Sequence, residues 1–178
     1  GVTVRFGRQE VSTTATADGR WLVRLDAMEA SSTPAPLVVT GKNTVTVNDV
    51  VVGEVWLCSG QSNMEFSSEW IHNFARDMRA GRTPATFDLD AEEAAVDAVV
   101  ADADKPAIRF FTVAAVGASF PQQDLHGEWV VCTPETMKKF SLAGYFFGLS
   151  LHERLGVPVG LVNSSWGGTP CDVWTPSE

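Results

Sequence analysis

The sequence predicts an α/β domain over residues 51–178, preceded by a small antiparallel β region over residues 1–50. Two observations predict this fold class. Before residue 50, short runs in which apolar and polar residues alternate are separated by turn residues, a pattern typical of antiparallel strands. From Gly53 onward, apolar strand candidates are separated by helical stretches, which is typical of a domain with a largely parallel sheet.

The first region is predicted to contain short strands and to belong to a small β-sandwich that is incomplete at its N-terminus. Asp18-Gly19 and Gly41-Lys42-Asn43 have the composition of tight turns, and residues 31–36 have that of a loop. The predicted strands are residues 2–6, 11–16, 21–25, 37–40 and 45–50.

The second region is predicted to alternate strands with helices. Asp90 followed by Glu93 resembles a capping box before an alanine-rich helix over residues 91–101. Apolar residues at steps of three or four predict another helix over residues 140–155, which ends at Gly156. The predicted strands are residues 55–58, 108–113, 128–132 and 159–162.

Composition and charge disfavour several classes of protein. Hydrophobic residues make up 44% of the chain and charged residues 20%, which is typical of a globular protein and not of a disordered one. A net charge of -9 disfavours binding to nucleic acids and to anionic membrane surfaces, because both are negatively charged. No apolar stretch is long enough to span a membrane. An anionic sugar would need a local arginine or lysine, which the sequence does not locate.

The cysteines do not predict a metal site. Cys58, Cys132 and Cys171 lie too far apart for a zinc-binding pattern. We expect them to be small buried hydrophobic residues, with one disulfide possible. The sequence therefore predicts neither a metal nor a cofactor.

The first candidate site lies after the predicted strand 55–58. Ser62 follows the turn Ser59-Gly60-Gln61 at the start of a predicted helix, where free backbone N–H groups and the helix dipole favour negative charge. Ser62 is therefore a candidate nucleophile for acyl transfer, with adjacent amides that stabilise an oxyanion. The alternative is that Ser62 only caps the helix. The run does not match Gly-x-Ser-x-Gly, because position 64 is Met64.

The second candidate site is the loop of residues 163–170, which follows the last predicted strand. Gly167 and Gly168 have no side chain to keep a ligand away from the backbone, so an N–H group here is a candidate oxyanion donor. The alternative is that the paired glycines simply form a tight turn. Trp166 and Trp174 offer apolar ring faces to a sugar, or they pack in the core.

Two long runs in these regions resemble a known family. Gly-Glu-Val-Trp-Leu-Cys-Ser-Gly-Gln-Ser-Asn-Met (residues 53–64) and Val-Gly-Leu-Val-Asn-Ser-Ser-Trp-Gly-Gly-Thr-Pro (residues 159–170), followed by Asp172-Val173-Trp174, resemble the sialate O-acetylesterase family of SGNH hydrolases. The resemblance covers roughly residues 45–178. Its middle part comprises residues 108–113, 128–135 and 140–155.

The resemblance implies a flavodoxin-like three-layer α/β/α fold and a serine esterase that removes O-acetyl groups from sialic acid or other glycans without a metal. It implies that Ser62 is the nucleophile, that the Ser62 N–H lies in the oxyanion hole, and that Gly168 is the glycine donor, with Gly167 as the alternative donor. Family members are extracellular or periplasmic, or lysosomal in eukaryotes. The substrate-binding residues that the resemblance implies are Gln61, Asn63 and Trp166.

Two parts of the family pattern are absent from these 178 residues. The family continues with a Gln-Gly-Glu-Ser-Asn run, whose asparagine is the third oxyanion donor, and later with an Asp-x-x-His segment that supplies the base. A serine without a base is a weak nucleophile at neutral pH. We therefore expect this chain to hold the nucleophile half of the site, with the base supplied by a second chain or a downstream segment.

The stretch between Arg76 and Lys105 is longer than this family pattern leads us to expect. It is rich in charged residues and alanine. Two alternatives remain open for it, an insertion near the site or a surface helix pair.

The three histidines have no recognisable catalytic signature. We expect a surface or cap role for each of His72, His126 and His152, because few histidines are catalytic. His126 remains a candidate for the border of the pocket, since its loop precedes a strand and can approach a strand end.

The leading hypothesis is a carbohydrate O-acetylesterase that acts through an acyl-enzyme on an acetylated carbohydrate. The first alternative is a non-catalytic glycan-binding module, which would hold sugars with Trp56, Trp166 or Trp174 and with the β region. The second alternative is an inactive fragment. Neither a nucleic acid nor a membrane is an expected partner.

Overall fold

The computed structural model of the chain describes residues 1–81, 88–118, 120 and 122–175. The chain forms two compact units, Gly1–Gly53 and Glu54–Glu178. The first unit contains an antiparallel sheet, and the second combines a mostly parallel sheet with helices. The chain therefore has the mixed α/β fold that the sequence predicts.

The first unit is built on the strands β1 (Val2–Phe6), β2 (Gln9–Thr13), β3 (Ser31–Thr40) and β4 (Thr44–Val52). They form one antiparallel sheet in the order β2-β1-β3-β4. The predicted turns are confirmed: the Gly41 N–H donates to the Asn43 carbonyl at 2.8 Å between β3 and β4, and the Gly19 N–H donates to the Thr16 carbonyl at 2.9 Å. Residues 1–53, all of which are described, contain this single sheet, and the sandwich stays a prediction.

The strand predicted over residues 21–25 is wrong. These residues have no regular secondary structure. Trp21 and Leu22 remain 44% and 73% exposed. The propensity of such residues for strands depends on packing against neighbouring strands, and exposed side chains do not gain that packing.

The loop predicted over residues 31–36 is also wrong, because these residues form the first part of β3. Strand β1 pairs with β3 only from Leu37 onward, so the segment that carries Pro34 and Pro36 pairs with β4 alone. Proline lacks an N–H group and is tolerated on an unpaired strand edge or at a bulge. The register of β3 against β4 is irregular in this same segment.

The second unit is built on the strands β5 (Glu54–Gly60), β6 (Lys105–Thr112), β7 (Trp129–Cys132) and β8 (Val159–Ser165). They form a sheet in the order β5-β8-β6-β7, in which β5 and β6 are parallel to β8 and β7 is antiparallel to β6. The four strands predicted for this region are all confirmed. Because β5 and β8 are parallel neighbours, the loops that follow them lie at the same edge of the sheet.

The helices of this unit are α1 (Ser62–Glu65), α2 (Ser68–Arg79), α3 (Leu89–Ala101), α4 (Pro134–Met137) and α5 (Leu142–Leu155), and a 3-10 helix follows at Cys171–Trp174. The last helix ends as predicted, since Gly156 adopts a φ of 67° and its N–H donates to the His152 carbonyl. Within the described ranges, no helix is long and apolar enough to cross a membrane.

The capping box predicted at Asp90 is wrong, although the helix α3 itself is confirmed. Asp88 is the N-cap, and its side chain accepts the N–H groups of Asp90 and Ala91 at 3.1 Å each. Aspartate is an equally good capping residue at position 88, two residues before the predicted cap. The Glu93 carboxylate bonds to side chains of α2 instead.

The hydrophobic core of the second unit lies on one face of its sheet. Alternate residues of the strands, among them Cys58, Phe110 and Leu161, are buried there against helix residues. On the opposite face, Val55 and Leu57 are 65% and 67% exposed. A three-layer arrangement would need a second layer over this exposed face, and it stays a prediction.

The stretch between residues 76 and 105 contains the end of α2 and all of α3, with residues 82–87 outside the described part. His72 on α2 bonds to the Glu93 and Asp97 carboxylates of α3, at 2.9 Å in each case. Arg79 bonds to Glu93 at 2.6 Å and also to Asp90. This stretch is therefore a helix pair joined by side-chain bonds.

The three cysteines are free thiols. Cys58 and Cys132 are buried as predicted, whereas Cys171 is exposed, so the prediction of burial is wrong for that residue. Burial raises the pKa of the Cys58 thiol and raises the pKa of Cys132 to about 11. Both buried thiols are therefore protonated at neutral pH and are poor nucleophiles.

Candidate functional site

The loops that follow β5 and β8 lie side by side at one edge of the sheet. Gly60, the last residue of β5, pairs with Ser165 of β8. The next residue, Trp166, donates its N–H to the Gly60 carbonyl at 3.0 Å. Gly60 has a φ of 138°, which residues with a side chain rarely adopt, and the chain turns there toward α1.

Ser62 is the first residue of α1, and Gln61 is its N-cap. The Gln61 Oε1 atom accepts the Ser62 N–H at 3.3 Å and the Ser62 hydroxyl at 3.1 Å. The alternative that Ser62 caps the helix is therefore wrong, because its hydroxyl donates to a side chain and does not accept a backbone N–H. Ser62 is partly exposed, at the end of a strand and opposite the second loop.

The helix predicted at Ser62 is present but consists of one turn. A single turn sums fewer peptide dipoles than a long helix, so local hydrogen bonds matter more than a helix dipole here. The start of α5 holds this turn in place, since the Leu142 N–H donates to the Phe66 carbonyl at 2.9 Å. The Ser141 hydroxyl also lies 3.5 Å from the Met64 sulfur.

Gly167 is packed directly against Ser62. A Cβ atom at Gly167 would lie 3.5 Å from the Cα and Cβ atoms of Ser62 and would overlap the Glu65 carboxylate. The Gly167 N–H donates to Glu65 Oε2 at 2.7 Å. The structure therefore brings Ser62 and Gly167 together, but the N–H of Gly167 is already bonded.

Gly168 differs from Gly167 in both conformation and bonding. It has a φ of 76°, in the left-handed region, and a Cβ atom there would meet no other atom within 4 Å. Within the described part of the chain, the Gly168 N–H has no hydrogen-bond acceptor. Gly168 is therefore the glycine whose N–H is available to a ligand.

The tryptophans of the second loop have different surroundings. Trp166 is 43% exposed. Trp174 is half-buried and donates its ring N–H to the Thr169 hydroxyl at 2.8 Å. That hydroxyl donates in turn to the Trp166 carbonyl at 2.6 Å, which braces the loop. Trp166 can present its ring to a ligand, whereas Trp174 is part of the loop structure.

Two of the predicted substrate residues flank Ser62. Gln61 bonds to Ser62 directly, as described above. Asn63 is exposed, on the helical turn that begins with Ser62. Both side chains therefore lie at the site.

The sequence reasoning missed Glu65 and Asn163. Glu65 lies three residues after Ser62 on one helical turn, and this spacing is the signal that could have identified it. Asn163 is 5% exposed, and its Oδ1 atom accepts the Ser165 hydroxyl at 2.7 Å. A buried polar side chain at the end of a strand braces the backbone from which the second loop departs.

None of the histidines is bonded to Ser62. His72 bonds to Glu93 and Asp97, and His152 bonds to the Val157 carbonyl at 2.7 Å, which is a cap role at the end of α5. The His126 carbonyl accepts the Ala114 N–H at 3.1 Å in the loop beyond β6. In the residues that the structure describes, no three His, Cys, Asp or Glu side chains are grouped as a metal site.

A cavity of about 560 Å³ lies near the carboxyl end of β6. The buried rings of Phe110 and Phe140 line it together with Thr112 and Lys139. Thr112 pairs with Asn163 of β8, so the cavity lies at the same edge of the sheet as the two loops. Lys139 is a cation at this edge that the sequence alone did not locate.

The chain is similar to sialate O-acetylesterases. It is 31% identical over 193 residues to the protein from Pongo abelii, and 30% identical over 193 residues to the protein from Homo sapiens. Each of these alignments covers 98% of this chain and 32% of the relative. The chain therefore spans about a third of the length of these relatives. No protein-family model matches the chain.

A solved structure shows the same fold. The crystal structure of a carbohydrate acetylesterase from Xanthomonas citri superposes with a TM-score of 0.81 at 34% sequence identity. The match covers 98% of this chain and 35% of the chain of that protein. The fold of this chain is thus similar to part of a larger acetylesterase.

Proposed function

Over the segment that it shares with these relatives, the chain belongs to the sialate O-acetylesterase family, and we propose that it carries the nucleophile part of a serine esterase site. The substrates are O-acetyl esters of sialic acid or of other acetylated glycans. The observation that carries this proposal is the packing of Gly167 against Ser62, which puts a hydroxyl and glycine N–H groups at one sheet edge. A nucleophile beside backbone donors is what acyl transfer requires.

The reaction proceeds in two displacements. The Ser62 hydroxyl loses its proton to a base as the oxygen attacks the acetyl carbonyl, which gives a tetrahedral oxyanion. The intermediate collapses to an acetyl-serine ester, and the departing sugar oxygen takes the proton from the base. Water then attacks the acetyl-serine with the help of the same base and releases acetate and free Ser62.

The oxyanion is held by the N–H groups of Ser62 and Gly168. In the structure the Ser62 N–H is bonded to Gln61 Oε1 at 3.3 Å, a long bond that a developing oxyanion can replace because charge-assisted bonds are stronger. We prefer Gly168 to Gly167 as the glycine donor to the oxyanion, because the Gly167 N–H already donates to Glu65. Gln61, once displaced, remains beside the substrate together with Asn63.

We place the base outside these 178 residues. His72 and His152 are bonded to other groups, and about two-thirds of the length of the relatives lies outside the part that this segment covers. A downstream segment or a second chain with an Asp-His pair and an oxyanion asparagine completes the site. The complete domain is then a three-layer SGNH hydrolase domain that needs no metal, in an extracellular, periplasmic or lysosomal compartment.

The substrate sugar lies over the second loop. Trp166 offers an exposed ring face on which the apolar side of a sugar packs. The cavity near β6 takes a further part of the glycan, and Lys139 gives that part a cation that suits an acidic sugar.

Acetate release tests this function. It is measured with p-nitrophenyl acetate and with an O-acetylated sugar, for the 178-residue chain and for a polypeptide extended through the downstream segment. We expect activity only in the extended form, and we expect Ser62→Ala to lower kcat by at least about 1,000-fold. Full turnover by Ser62→Ala contradicts the nucleophile, and equal activity of both forms contradicts an external base.

A glycan-binding module without catalysis is the second candidate function. The exposure of Trp56 and Trp166, 42% and 43%, favours it because exposed aromatic rings bind sugars. Binding of an acetylated glycan by the extended polypeptide without any release of acetate would support this candidate against the esterase.

A further inference from the structure

Glu65 joins the two loops of the site, and we propose that it is a positioning residue for the oxyanion hole. The Glu65 carboxylate accepts the N–H of Gly167 and so holds the second loop (residues 163–170, here called the glycine loop) against Ser62. This contact keeps the Gly168 N–H in place as a donor. This inference rests on the proposed esterase function. It assigns to Glu65 a role that acts through Gly167 and not through the substrate.

The bond is short and bridges distant parts of the sequence. Glu65 Oε2 and the Gly167 N–H are 2.7 Å apart, in a part-buried position and 102 residues apart in the chain. A carboxylate that accepts a backbone N–H makes a stronger bond than a neutral acceptor does. The Trp166 N–H bond to the Gly60 carbonyl, at 3.0 Å, is a second link between the two loops.

The glycine at position 167 fits this role. A Cβ atom there would overlap Glu65 Oε2, so with any other residue at position 167 the carboxylate would have to leave its present position. The φ of Gly167 is not in the left-handed region, so backbone strain does not explain the glycine. The space that a side chain would fill is occupied by Glu65.

The same bond assigns different tasks to the two glycines. The Gly167 N–H is used to anchor the loop, and the Gly168 N–H has no acceptor in the described part of the chain.

The test compares Glu65→Ala, Glu65→Gln and a matched control in the extended polypeptide. Glu65→Ala removes the acceptor, and misplacement of a donor by about 1 Å is expected to lower kcat about 100-fold with KM nearly unchanged. Glu65→Gln keeps an acceptor oxygen, and we expect its kcat within about tenfold of the wild type. Glu92→Ala removes an exposed carboxylate on α3 and should leave kcat unchanged.

A double-mutant cycle tests whether Glu65 acts through Gly167. Gly167→Ala displaces the Glu65 carboxylate by steric overlap. If both single substitutions break the same bond, the kcat of Glu65→Ala with Gly167→Ala is close to that of the worse single variant. Fully multiplicative losses overturn the proposal, as does a Glu65→Gln variant that is as slow as Glu65→Ala.

A readout that does not depend on activity separates this inference from the proposed function. Hydrogen exchange of the Gly167 amide is measured in the 178-residue chain. We expect faster exchange in Glu65→Ala and near-normal exchange in Glu65→Gln, because only the first loses the acceptor. Unchanged exchange in Glu65→Ala overturns the inference even if the esterase is real, whereas an active Ser62→Ala variant overturns the function alone.

Discussion

Two glycines at the site adopt backbone conformations that other residues rarely adopt. Gly60 has a φ of 138° and Gly168 a φ of 76°. A Cβ atom at either position would meet no atom closer than 3.8 Å, so lack of space does not explain these glycines. The backbone conformation does, because a residue with a side chain in the left-handed region costs about 1–2 kcal/mol.

Gly168→Ala should lower both stability and activity. We expect the Tm to fall by about 2–8 °C from backbone strain, and kcat to fall at least about tenfold because relief of the strain moves the N–H of residue 168. Thermal unfolding and acetate release by the extended polypeptide measure the two effects.

The matched control is Gly156→Ala at the end of α5. Gly156 has a φ of 67°, and a Cβ atom there also meets nothing within 4 Å, so its strain is comparable. It lies outside the site, and we expect a similar loss of Tm with unchanged kcat. An unchanged kcat in Gly168→Ala, measured well below its Tm, would contradict the assignment of Gly168 as a donor.

The positions of Ser62 and of the paired glycines could be anticipated from sequence, because loops at the ends of parallel neighbouring strands meet. The hydrogen bonds within the site could not be anticipated from the sequence. Glu65 looks like any charged residue in a helical turn until the fold brings Gly167 to it. Gln61 likewise looks like part of a turn, and its role as the N-cap of α1 depends on the conformation that Gly60 permits.

At the level of secondary-structure elements, α2 and α3 are joined by a pH-dependent cluster. The pKa of His72 is raised by hydrogen bonds to Glu93 and Asp97, and the pKa of Glu93 is lowered by hydrogen bonds to Arg79 and His72. Asp90 also bonds to Arg79. Protonated His72 and ionised Glu93 therefore favour the paired helices.

The raised pKa of His72 makes the pairing of α2 and α3 weaker as the pH rises. The contribution of His72 is fully present below its unfolded pKa, about 6.5, and is lost as the pH rises through its raised folded value. We expect the Tm to fall by about 1–3 °C over that rise, since a partly exposed pair contributes little. His72→Gln should remove this part of the pH dependence, as thermal unfolding from pH 5 to pH 9 will show.

Glu92→Gln is the control for His72→Gln. It removes a charge from the same helix α3 without touching the cluster, because Glu92 is exposed. We expect it to keep the wild-type pH dependence. A His72→Gln variant whose Tm falls with pH as steeply as the wild type would show that His72 does not link the helices.

The elements that sequence predicts well are those with internal periodicity and defined ends. Helix α5 has both, with a serine cap and a terminal Gly156. The strands of the β region are harder to predict from sequence. Residues 31–36 contain prolines, which favour a loop, yet a strand that is paired on one side only tolerates them. Trp21 and Leu22 favour a strand by propensity alone, and only the tertiary structure shows that they remain exposed.

In the molecule as a whole, the unit Glu54–Glu178 carries the residues that we propose as the nucleophile half of an esterase site. Ser62 and the glycine loop lie at one edge of its sheet. On one face of the same sheet, the apolar side chains of Val55 and Leu57 are exposed. The chain spans 32% of the human relative and 35% of the bacterial acetylesterase. These observations support a division in which this segment supplies the nucleophile and donors and another segment supplies the base.

Trapping by an organophosphonate tests whether Ser62 is the nucleophile. The extended polypeptide is treated with a fluorophosphonate ester, which phosphonylates activated serines, and the modified residue is identified by mass spectrometry of its peptides. We expect one adduct, on Ser62, and none in Ser62→Ala. An adduct on another residue, or none while the polypeptide still releases acetate, would contradict it.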